Sequence, residues 1–255
     1  MIECLCAVCD VREVGENIFV LRCTSPEIAR SVRPGQFVNV RVSDSFEPLL
    51  RRPFSVHRTV GSDIEIIFNV VGKGTAALRR MRAGDTVSLI GPLGVPFGLS
   101  STGYDTAVLV GGGLGVAPLP IITEALTRSG KNILTFLGSR TSRHLVRHHL
   151  VNVHAATDDG SEGFHGTVVE LMEQKLRQNP PVAPRIFACG PTPMLRAVAR
   201  LADALHVPCE VSLEGAMGCG FGICQGCPVE LVDGGRKYAL MCKDGPVFDV
   251  RAIRI

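Results

Sequence analysis

Residues 107–118 read Ala-Val-Leu-Val-Gly-Gly-Gly-Leu-Gly-Val-Ala-Pro, an apolar run that leads into a glycine-rich turn. The run predicts a buried strand, and a helix is predicted from Val116 to Thr127. This order leaves bare backbone amides and a helix N-terminus, which can accept a pyrophosphate. A glycine-rich turn can also be a mere tight turn, but the strand and helix around it favour a dinucleotide site. Its candidate residues are Gly111, Gly112, Gly113 and Gly115.

Strands and helices alternate on both sides of this stretch. Such alternation predicts an α/β domain with a doubly wound parallel sheet, which we assign to residues 103–213. The predicted strands are 107–110, 133–136, 151–155, 185–188 and 209–213, and the predicted helices are 116–127, 142–149, 168–176 and 193–205.

Two further segments follow strands of this sheet, where ligands meet the carboxyl ends of strands. Asp158 and Asp159 come after the third strand, and Asp158 can either hydrogen-bond a ribose or cap a turn. Facing a ribose phosphate, the two carboxylates would repel it and favour NAD, whereas Arg140 could instead accept that phosphate. Cys189 and Gly190 end another strand, and Cys189 is either a contact to the nicotinamide edge or a buried structural thiol.

The first 102 residues contain short strand-like segments that are separated by Gly, Pro and Asp residues. This pattern predicts an antiparallel barrel. A short helix is predicted from Thr75 to Met81, with Thr75 able to cap its start. The predicted strands are 2–11, 17–23, 36–42, 54–57, 64–70 and 86–89.

The barrel segment carries three motifs in order. Arg52-Pro53-Phe54-Ser55 supplies a guanidinium for phosphate, an aromatic ring for packing and a hydroxyl for a ring nitrogen. Residues 72–75, Gly-Lys-Gly-Thr, precede the predicted helix, and residues 91–94, Gly-Pro-Leu-Gly, close the barrel. Three such motifs in this order are hard to attribute to chance.

Four cysteines crowd into segment 214–255, which is too small to form a core unaided. Their spacing is C-x4-C-x2-C-x14-C, and the first three repeat the plant-type ferredoxin pattern for a [2Fe-2S] centre. Intervening glycines let the backbone wrap round such a cluster. The alternative is a structural zinc, which usually shows two CxxC pairs rather than an x4 gap. The candidate ligands are Cys219, Cys224, Cys227 and Cys242.

The composition excludes several classes of protein. With 45% apolar residues among 255, the chain can bury the cores of two domains, and disorder is not expected. The net charge of +3 comes from 27 basic and 24 acidic residues spread along the chain, so no nucleic-acid or polybasic membrane surface is expected. The start lacks a secretory pattern, and the uncharged run 106–123 is broken by four glycines and two prolines. We therefore expect no membrane span, and thiols in a reducing cytoplasm.

Other cysteines and histidines receive structural interpretations. Cys6 and Cys9 form a CxxC, but no βαβ unit surrounds it. His144 and His148 stand four residues apart on the predicted helix 142–149. The flanking Arg143 and Arg147 favour a solvated basic face there over a metal site.

The order of the motifs resembles the ferredoxin-NADP reductase superfamily, in which an Arg-x-aromatic-Ser/Thr motif holds the flavin and a following domain carries the glycine turn and Cys-Gly-Pro. Within it, the chain resembles the electron-transfer subunits of dihydroorotate dehydrogenase B. Reductases of ring dioxygenases share the order of sites, but their last cysteine ligand usually lies much farther along. The stretches that carry the resemblance are 34–37 (PGQF), 52–55 (RPFS), 70–75 (VVGKGT), 157–161 (TDDGS) and 242–248 (CKDGPVF).

The resemblance implies bound FAD, a [2Fe-2S] cluster and NAD as co-substrate. It also implies a flavin barrel at 1–102, the nucleotide domain at 103–213 and a cluster domain at 214–255. Relatives often carry a basic residue where this chain has Asn69, which puts one phosphate contact in doubt. The FAD contacts that the resemblance assigns are Arg52, Pro53, Phe54, Ser55, Ile67, Phe68, Asn69, Gly74 and Thr75.

The resemblance further implies that electrons run from the FMN of a catalytic subunit through the cluster and FAD to NAD, in pyrimidine biosynthesis. The implied complex is a cytoplasmic dimer of heterodimers whose catalytic subunit docks beside residues 219–242. One alternative is the flavin iron-sulfur subunit of a bifurcating ferredoxin-NADP oxidoreductase or sulfide dehydrogenase. A second is a non-enzymatic metal-binding interaction module, which the intact flavin and nucleotide motifs disfavour.

Overall fold

In the computed structural model, the described residues are 1–43, 46–232 and 235–255. The N-terminal strands alternate inward and outward side chains and close into a six-stranded antiparallel barrel, in the order β1-β2-β5-β4-β3-β6. Its strands are β1 (Ile2–Gly15), β2 (Ile18–Thr24), β3 (Phe37–Arg41), β4 (Arg52–Val60), β5 (Asp63–Asn69) and β6 (Thr86–Leu93), and its helices are α1 (Pro26–Ser31) and α2 (Lys73–Arg80). The predicted barrel is confirmed.

The middle of the chain forms the predicted parallel sheet, in which β7 is flanked by β8 and β11. β7 is apolar and buried along its whole length, as expected of a central strand covered by helices on both faces. The strands are β7 (Thr106–Gly112), β8 (Asn132–Ser139), β9 (Val153–Thr157), β10 (Phe164–His165), β11 (Pro184–Cys189) and β12 (Cys209–Ser212), and the helices are α3 (Leu119–Arg128), α4 (Val168–Gln178) and α5 (Thr192–Ala204).

The cysteine lobe, residues 214–255, is built onto both preceding units. Its elements are β13 (Pro228–Glu230), β14 (Tyr238–Leu240), α6 (Met241–Asp244) and β15 (Val247–Asp249). β15 joins the sheet antiparallel to β12, so the full order is β10-β9-β8-β7-β11-β12-β15. Phe37 and Leu93 of the barrel share a hydrophobic core with Cys227 and Cys242 of the lobe. These shared contacts hold a segment that is too small to fold around its own core, while the expected domain boundaries stay predictions.

One local prediction is wrong. The helix predicted at 142–149 is a single 3₁₀ turn, Ser142–His144, after which the backbone extends at Leu145. A hydrogen bond from Ser142 N to Ser161 Oγ (2.8 Å) ties the turn to a distant loop, and His149 has a φ of +64°, which no α-helix accommodates. A tertiary contact has therefore overridden the local pattern.

Helix α2 begins two residues before the predicted start, with Gly72 as the N-cap and Thr75 as the third helical residue. Thr75 Oγ1 accepts hydrogen bonds from Val71 N at 3.0 Å and from Gly72 N at 3.3 Å, so Thr75 caps the start of the helix, as predicted. The run 106–123 is strand, turn and helix start, as expected. No helix in the described part of the chain is both long and apolar enough to cross a membrane.

Candidate cofactor sites

The flavin motif lies at the beginning of β4, beside β3. Pro53 is opposite Asn39, and Ser55 is opposite Phe37. Directly opposed residues of an antiparallel pair share a face, so Pro53 and Ser55 lie on the outer face of the barrel. Phe54 lies on the inner side, where its ring centroid is 6.0 Å from that of Phe68. Phe54 of the motif thus packs inside the barrel, while Pro53 and Ser55 form part of its outer surface.

Arg52 is brought to the start of α2. A Cβ on Gly74 would lie 3.2 Å from Arg52 Nε, so the absence of a side chain there lets the guanidinium approach the helix closely. The same guanidinium donates to the carbonyl oxygen of Leu50. A cation next to backbone amides at a helix start is suited to a phosphate group. The structure thus brings together Arg52 and Gly74, which lie 22 positions apart in the sequence.

The other assigned flavin residues lie on β5. Ile67 and Phe68 are 4% and 2% exposed, because Ile67 packs in the core next to the nucleotide domain and Phe68 packs inside the barrel. Asn69 ends the strand opposite Ile18 and is half-buried. Ile67 and Phe68 can therefore contact a ligand only through their backbone groups, whereas Asn69 can also contact it through its side-chain amide.

The glycine turn and the Cys-Gly-Pro segment meet at the carboxyl ends of two neighbouring parallel strands, β7 and β11. Gly111 of β7 is in register with Cys189 of β11. A Cβ on Gly115 would lie only 2.0 Å from the Cys189 carbonyl oxygen, so only glycine fits at this position. Gly190 packs against the same turn, since its Cβ would lie 3.1 Å from Gly112 N. The nucleotide residues predicted in these two segments therefore form one continuous backbone surface.

The acidic pair lies at the same edge, next to Arg140. Asp158 N donates to Ser139 O at 3.1 Å, and Asp159 N donates to Arg140 O at 3.2 Å. Hydrogen bonds from the Ser161 hydroxyl and from Ser161 N, the latter at 2.9 Å, lower the pKa of Asp159. Asp159 thus stabilises a turn, while Asp158 is exposed and its carboxylate has no hydrogen-bond partner among the described residues. Of the two carboxylates, Asp158 is the one available to a ribose.

Cys189 is a buried thiol. It is 2% exposed, and burial, together with the negative charge of Glu214, raises its pKa above the ordinary range for cysteine. A neutral thiol in this place is suited to packing. This favours the structural alternative for its side chain, and contact with a nicotinamide stays a prediction.

The four candidate ligands fall into two pairs. Cys227 Sγ and Cys242 Sγ lie 3.2 Å apart in the core of the lobe. Cys219 lies in the cluster loop, residues 218–227, where its Sγ accepts a hydrogen bond from Cys224 N at 3.4 Å. Cys224 is exposed, so one pair is buried and the other reaches the surface.

Backbone amides surround the sulfurs, as the glycine content of the cluster loop predicts. Burial opposes ionisation of Cys219, but amides of Cys224, Phe221 and Ile223 outweigh it and lower the pKa of Cys219 to about 6. Cys227 Sγ likewise accepts from Cys242 N at 3.5 Å. Such hydrogen bonds stabilise negatively charged sulfur. By contrast, burial and the neighbouring Cys227 raise the pKa of Cys242 to about 12.

This arrangement fits a two-iron cluster. A [2Fe-2S] cluster takes two thiolates on each iron, which matches one pair from Cys219 and Cys224 and a second from Cys227 and Cys242.

The structure adds residues that the sequence patterns missed. Asn39 is 1% exposed, and its Nδ2 donates to the carbonyl oxygen of Cys219 at 2.7 Å. His57 is buried, and its Nδ1 lies 2.8 Å from the carbonyl oxygen of Ala117 on the nucleotide side. The one signal for Asn39 is that it stands alone as a polar residue in the apolar stretch Phe37-Val-Asn-Val40.

Known proteins are similar to this chain both in the cysteine lobe and over most of its length. The model of the iron-sulfur cluster binding domain of dihydroorotate dehydrogenase B matches residues 214–254. The electron transfer subunit of dihydroorotate dehydrogenase B (NAD+) from Desulforamulus reducens is 38% identical over 244 residues, covering 92% of each chain. The same subunit from Geobacillus kaustophilus is 38% identical over 250 residues, covering 94% of each.

Solved structures give a consistent picture. A structure of an NADH-dependent reduced ferredoxin-NADP oxidoreductase, described for flavin-based electron bifurcation, is similar with a TM-score of 0.83 and 31% identity, over 98% of this chain and 90% of that one. The ferredoxin reductase of carbazole 1,9a-dioxygenase is similar in fold, with a TM-score of 0.69 and 24% identity, over 81% of this chain and 67% of that one.

Proposed function

The chain belongs to the electron transfer subunits of dihydroorotate dehydrogenase B (NAD+), and from this we propose that it carries electrons from a catalytic subunit through a [2Fe-2S] cluster and FAD to NAD+. The observation that carries the proposal is the position of the cysteine lobe. It packs on the barrel through Phe37, which is opposite Ser55 of the flavin motif. This packing puts the four candidate cluster ligands and the flavin motif on the same side of the barrel.

The cofactors supply the redox chemistry, since bound FAD exchanges hydride with a nicotinamide and single electrons with a [2Fe-2S] cluster. In the barrel, Arg52 and the start of α2 would bind the phosphates, and Ser55 would offer its hydroxyl to the ring. In the cluster loop, four thiolates would hold the irons while backbone amides point at the sulfurs. The role of the chain is thus to bind the two cofactors and to orient them.

The nucleotide surface would hold NAD across the edge of the parallel sheet. The backbone of the glycine turn is packed against Cys189 and can accept the pyrophosphate at the start of the following helical turn. Asp158, on the neighbouring loop, is free to bind the ribose hydroxyls and would repel a 2′-phosphate. This supports NAD as the co-substrate.

The partner in this proposal is an FMN-containing dihydroorotate dehydrogenase subunit, paired with this chain in a dimer of heterodimers. An electron transfer subunit needs a partner that oxidises the substrate. Cys224 and Ile223 are exposed at the tip of the cluster loop, so electrons can enter there while the nucleotide surface stays free. The six cysteines outside the candidate ligand set form no disulfide, and thiols of this kind are typical of a reducing cytoplasm, where we place the chain.

A second candidate is the flavin iron-sulfur subunit of a bifurcating ferredoxin-NADP oxidoreductase. The observation that favours it is the TM-score of 0.83 over 98% of the chain. The two candidates share the chain's internal electron path and differ in the partner.

Two measurements test the proposal. Anaerobically purified chain should contain about one FAD, two irons and two labile sulfides, and stoichiometric zinc without sulfide would reject the cluster. Co-expression with an FMN-containing dihydroorotate dehydrogenase subunit should give dihydroorotate-dependent NAD+ reduction, which the chain alone should lack. Reduction that persists after the cluster is removed, or a stable complex only with a ferredoxin-dependent partner, would favour the second candidate.

A further inference from the structure

Asn39 is a buried polar residue on the outer face of the barrel, under the cluster loop. Its neighbours in β3, Val38 and Val40, point into the barrel core, so Asn39 and Phe37 point outward. Its partner across the ladder is Pro53 of the flavin motif. Asn39 therefore occupies a strand position that is directly paired with the flavin motif.

The side chain of Asn39 reaches the other cofactor site. Its Nδ2 donates to the carbonyl oxygen of Cys219 at 2.7 Å, although the two residues lie 180 positions apart. Among the described residues, this is the one side-chain hydrogen bond that joins the barrel to the cysteine lobe. It holds the backbone of Cys219, the first candidate ligand of the cluster, against β3, and β3 pairs with β4, the strand that carries the flavin motif.

The loop is shaped to receive this side chain. A Cβ on Gly220 would lie 1.9 Å from Asn39 Nδ2, and Gly220 has a φ of +83°. Only glycine allows the backbone both to take this conformation and to approach the amide so closely. The contact with Asn39 therefore requires glycine at position 220.

Stability alone does not account for an asparagine here. Asn39 Oδ1 is buried and has no hydrogen-bond partner among the described residues, which costs stability that an apolar residue of similar size would avoid. The bond through Nδ2 fixes the position of one carbonyl group instead. Outer-shell hydrogen bonds of this kind orient the ligands of metal centres.

We propose that Asn39 is a positioning residue that fixes the cluster loop against the flavin barrel and thereby sets the rate of electron transfer between FAD and the cluster. The inference rests on the proposed function for its cofactors. The packing of Asn39 against Cys219 and Gly220 is independent of it.

The test compares Asn39→Leu, which removes both polar atoms at similar size, with Thr135→Val. Thr135 is a matched control, since it is fully buried and its Oγ1 donates to the carbonyl oxygen of Val151 at 2.8 Å, within the nucleotide domain. Asn39→Asp is a second variant, which keeps the shape and removes the donor. Each full-length protein is purified anaerobically with its cofactors.

Three readouts separate positioning from folding. In both Asn39 variants, NADH oxidation by ferricyanide and FAD content should match the parent chain, because these report the flavin and nucleotide sites. Amide hydrogen exchange in residues 218–224 should be faster, and the stopped-flow rate of cluster reduction after FAD is reduced by NADH should fall roughly tenfold or more. Thr135→Val should change neither.

Unchanged exchange and an unchanged cluster reduction rate in the Asn39 variants would overturn the inference, as would equal changes in Thr135→Val. Loss of FAD in Asn39→Leu and Asn39→Asp alike would overturn it too, since Asn39 would then support the barrel itself. A parent chain without iron or FAD would refute the proposed function. Hydrogen exchange in residues 218–224 would still decide whether Asn39 holds the loop.

Discussion

The Sγ atoms of Cys227 and Cys242 lie 3.2 Å apart and are buried, one at the end of the cluster loop and the other in α6. Cys242 N also donates to Cys227 Sγ. This pair is anchored in the core that the lobe shares with the barrel and the parallel sheet. The second pair, Cys219 and Cys224, lies on the more exposed part of the loop.

Replacing Cys242 by Ser should remove the cluster and leave the flavin site intact. The hydroxyl is a poor ligand for iron, and without this anchored ligand the iron content should fall roughly tenfold or more. NADH oxidation by ferricyanide should persist, because its sites lie in the barrel and the parallel sheet. Cys9→Ser is the control. Cys9 of β1 contacts Thr24 of β2 within the barrel, so this variant should keep its iron. Joint loss of FAD and iron in Cys242→Ser alone would contradict the division of the chain.

Replacing Arg52 by Ala should have the opposite effect. A charged hydrogen bond to phosphate contributes about 1.5–3 kcal/mol, so FAD should bind roughly 10- to 100-fold more weakly while iron content holds. FAD fluorescence during equilibrium dialysis measures the affinity. The control is Arg177→Ala, which removes an exposed arginine paired with Glu173 on α4. Unaltered FAD affinity in Arg52→Ala would show that the guanidinium serves only the local backbone.

The main architecture could be predicted from sequence because its signals are local. Alternation in the barrel strands and the apolar run of β7 each report the burial of their own residues. Helix α4 shows this well, since Thr167 and Glu170 form the capping box that starts it at Val168. The cysteine spacing was informative for the same reason, because the cluster loop places three of the four candidate ligands within one short segment.

What sequence reasoning missed depends on distant contacts. The turn at 142–144 is fixed by Ser161, and Asn39 acquires its role from Cys219. The three-residue strand β15 is too short to show a period, and it forms because β12 offers an open edge. None of these partners is near in sequence.

Gly115→Ala should abolish nicotinamide nucleotide binding. The new Cβ would lie 2.0 Å from the Cys189 carbonyl oxygen, so the glycine turn and the Cys-Gly-Pro segment would have to separate. Overpacking of this kind also costs about 1–3 kcal/mol of stability. Reduction of bound FAD by NADH, followed at 450 nm or so, should become undetectable. Gly235→Ala is the control, since its Cβ would meet no atom within 4 Å, and normal reduction in Gly115→Ala would exclude this turn as the nucleotide site.

Asp158→Ala should weaken the preference for NADH over NADPH. Asp159 is held by Ser161 N, so Asp158 is the carboxylate free to bind ribose hydroxyls and to repel a phosphate. Losing those interactions should shift the ratio of kcat/KM for the two nucleotides by roughly tenfold. Asp203→Ala, at an exposed position on α5, should leave the ratio unchanged. Equal turnover of both nucleotides by the parent chain would assign the dominant role to Arg140.

His57 should make stability fall on the acid side of neutrality. Burial is the largest cause that lowers its pKa, and it outweighs the hydrogen bond to the Ala117 carbonyl, which raises it, so the pKa falls from 6.5 to about 4. Between these values the unfolded chain binds a proton that the folded chain excludes. The contribution of His57 is therefore complete above pH 6.5 and is lost as the pH falls toward 4.

The full effect is on the order of 3 kcal/mol, from the cost of a pKa unit. Urea midpoints measured between pH 7 and pH 4.5 or so should show a smaller decline for His57→Gln than for the parent chain. Gln can still donate to the Ala117 carbonyl oxygen, so the comparison isolates the proton from the contact between barrel and parallel sheet. The control is His165→Gln at an exposed position, which should follow the parent profile. Parallel declines in His57→Gln and the parent chain would show that His57 does not carry this acid sensitivity.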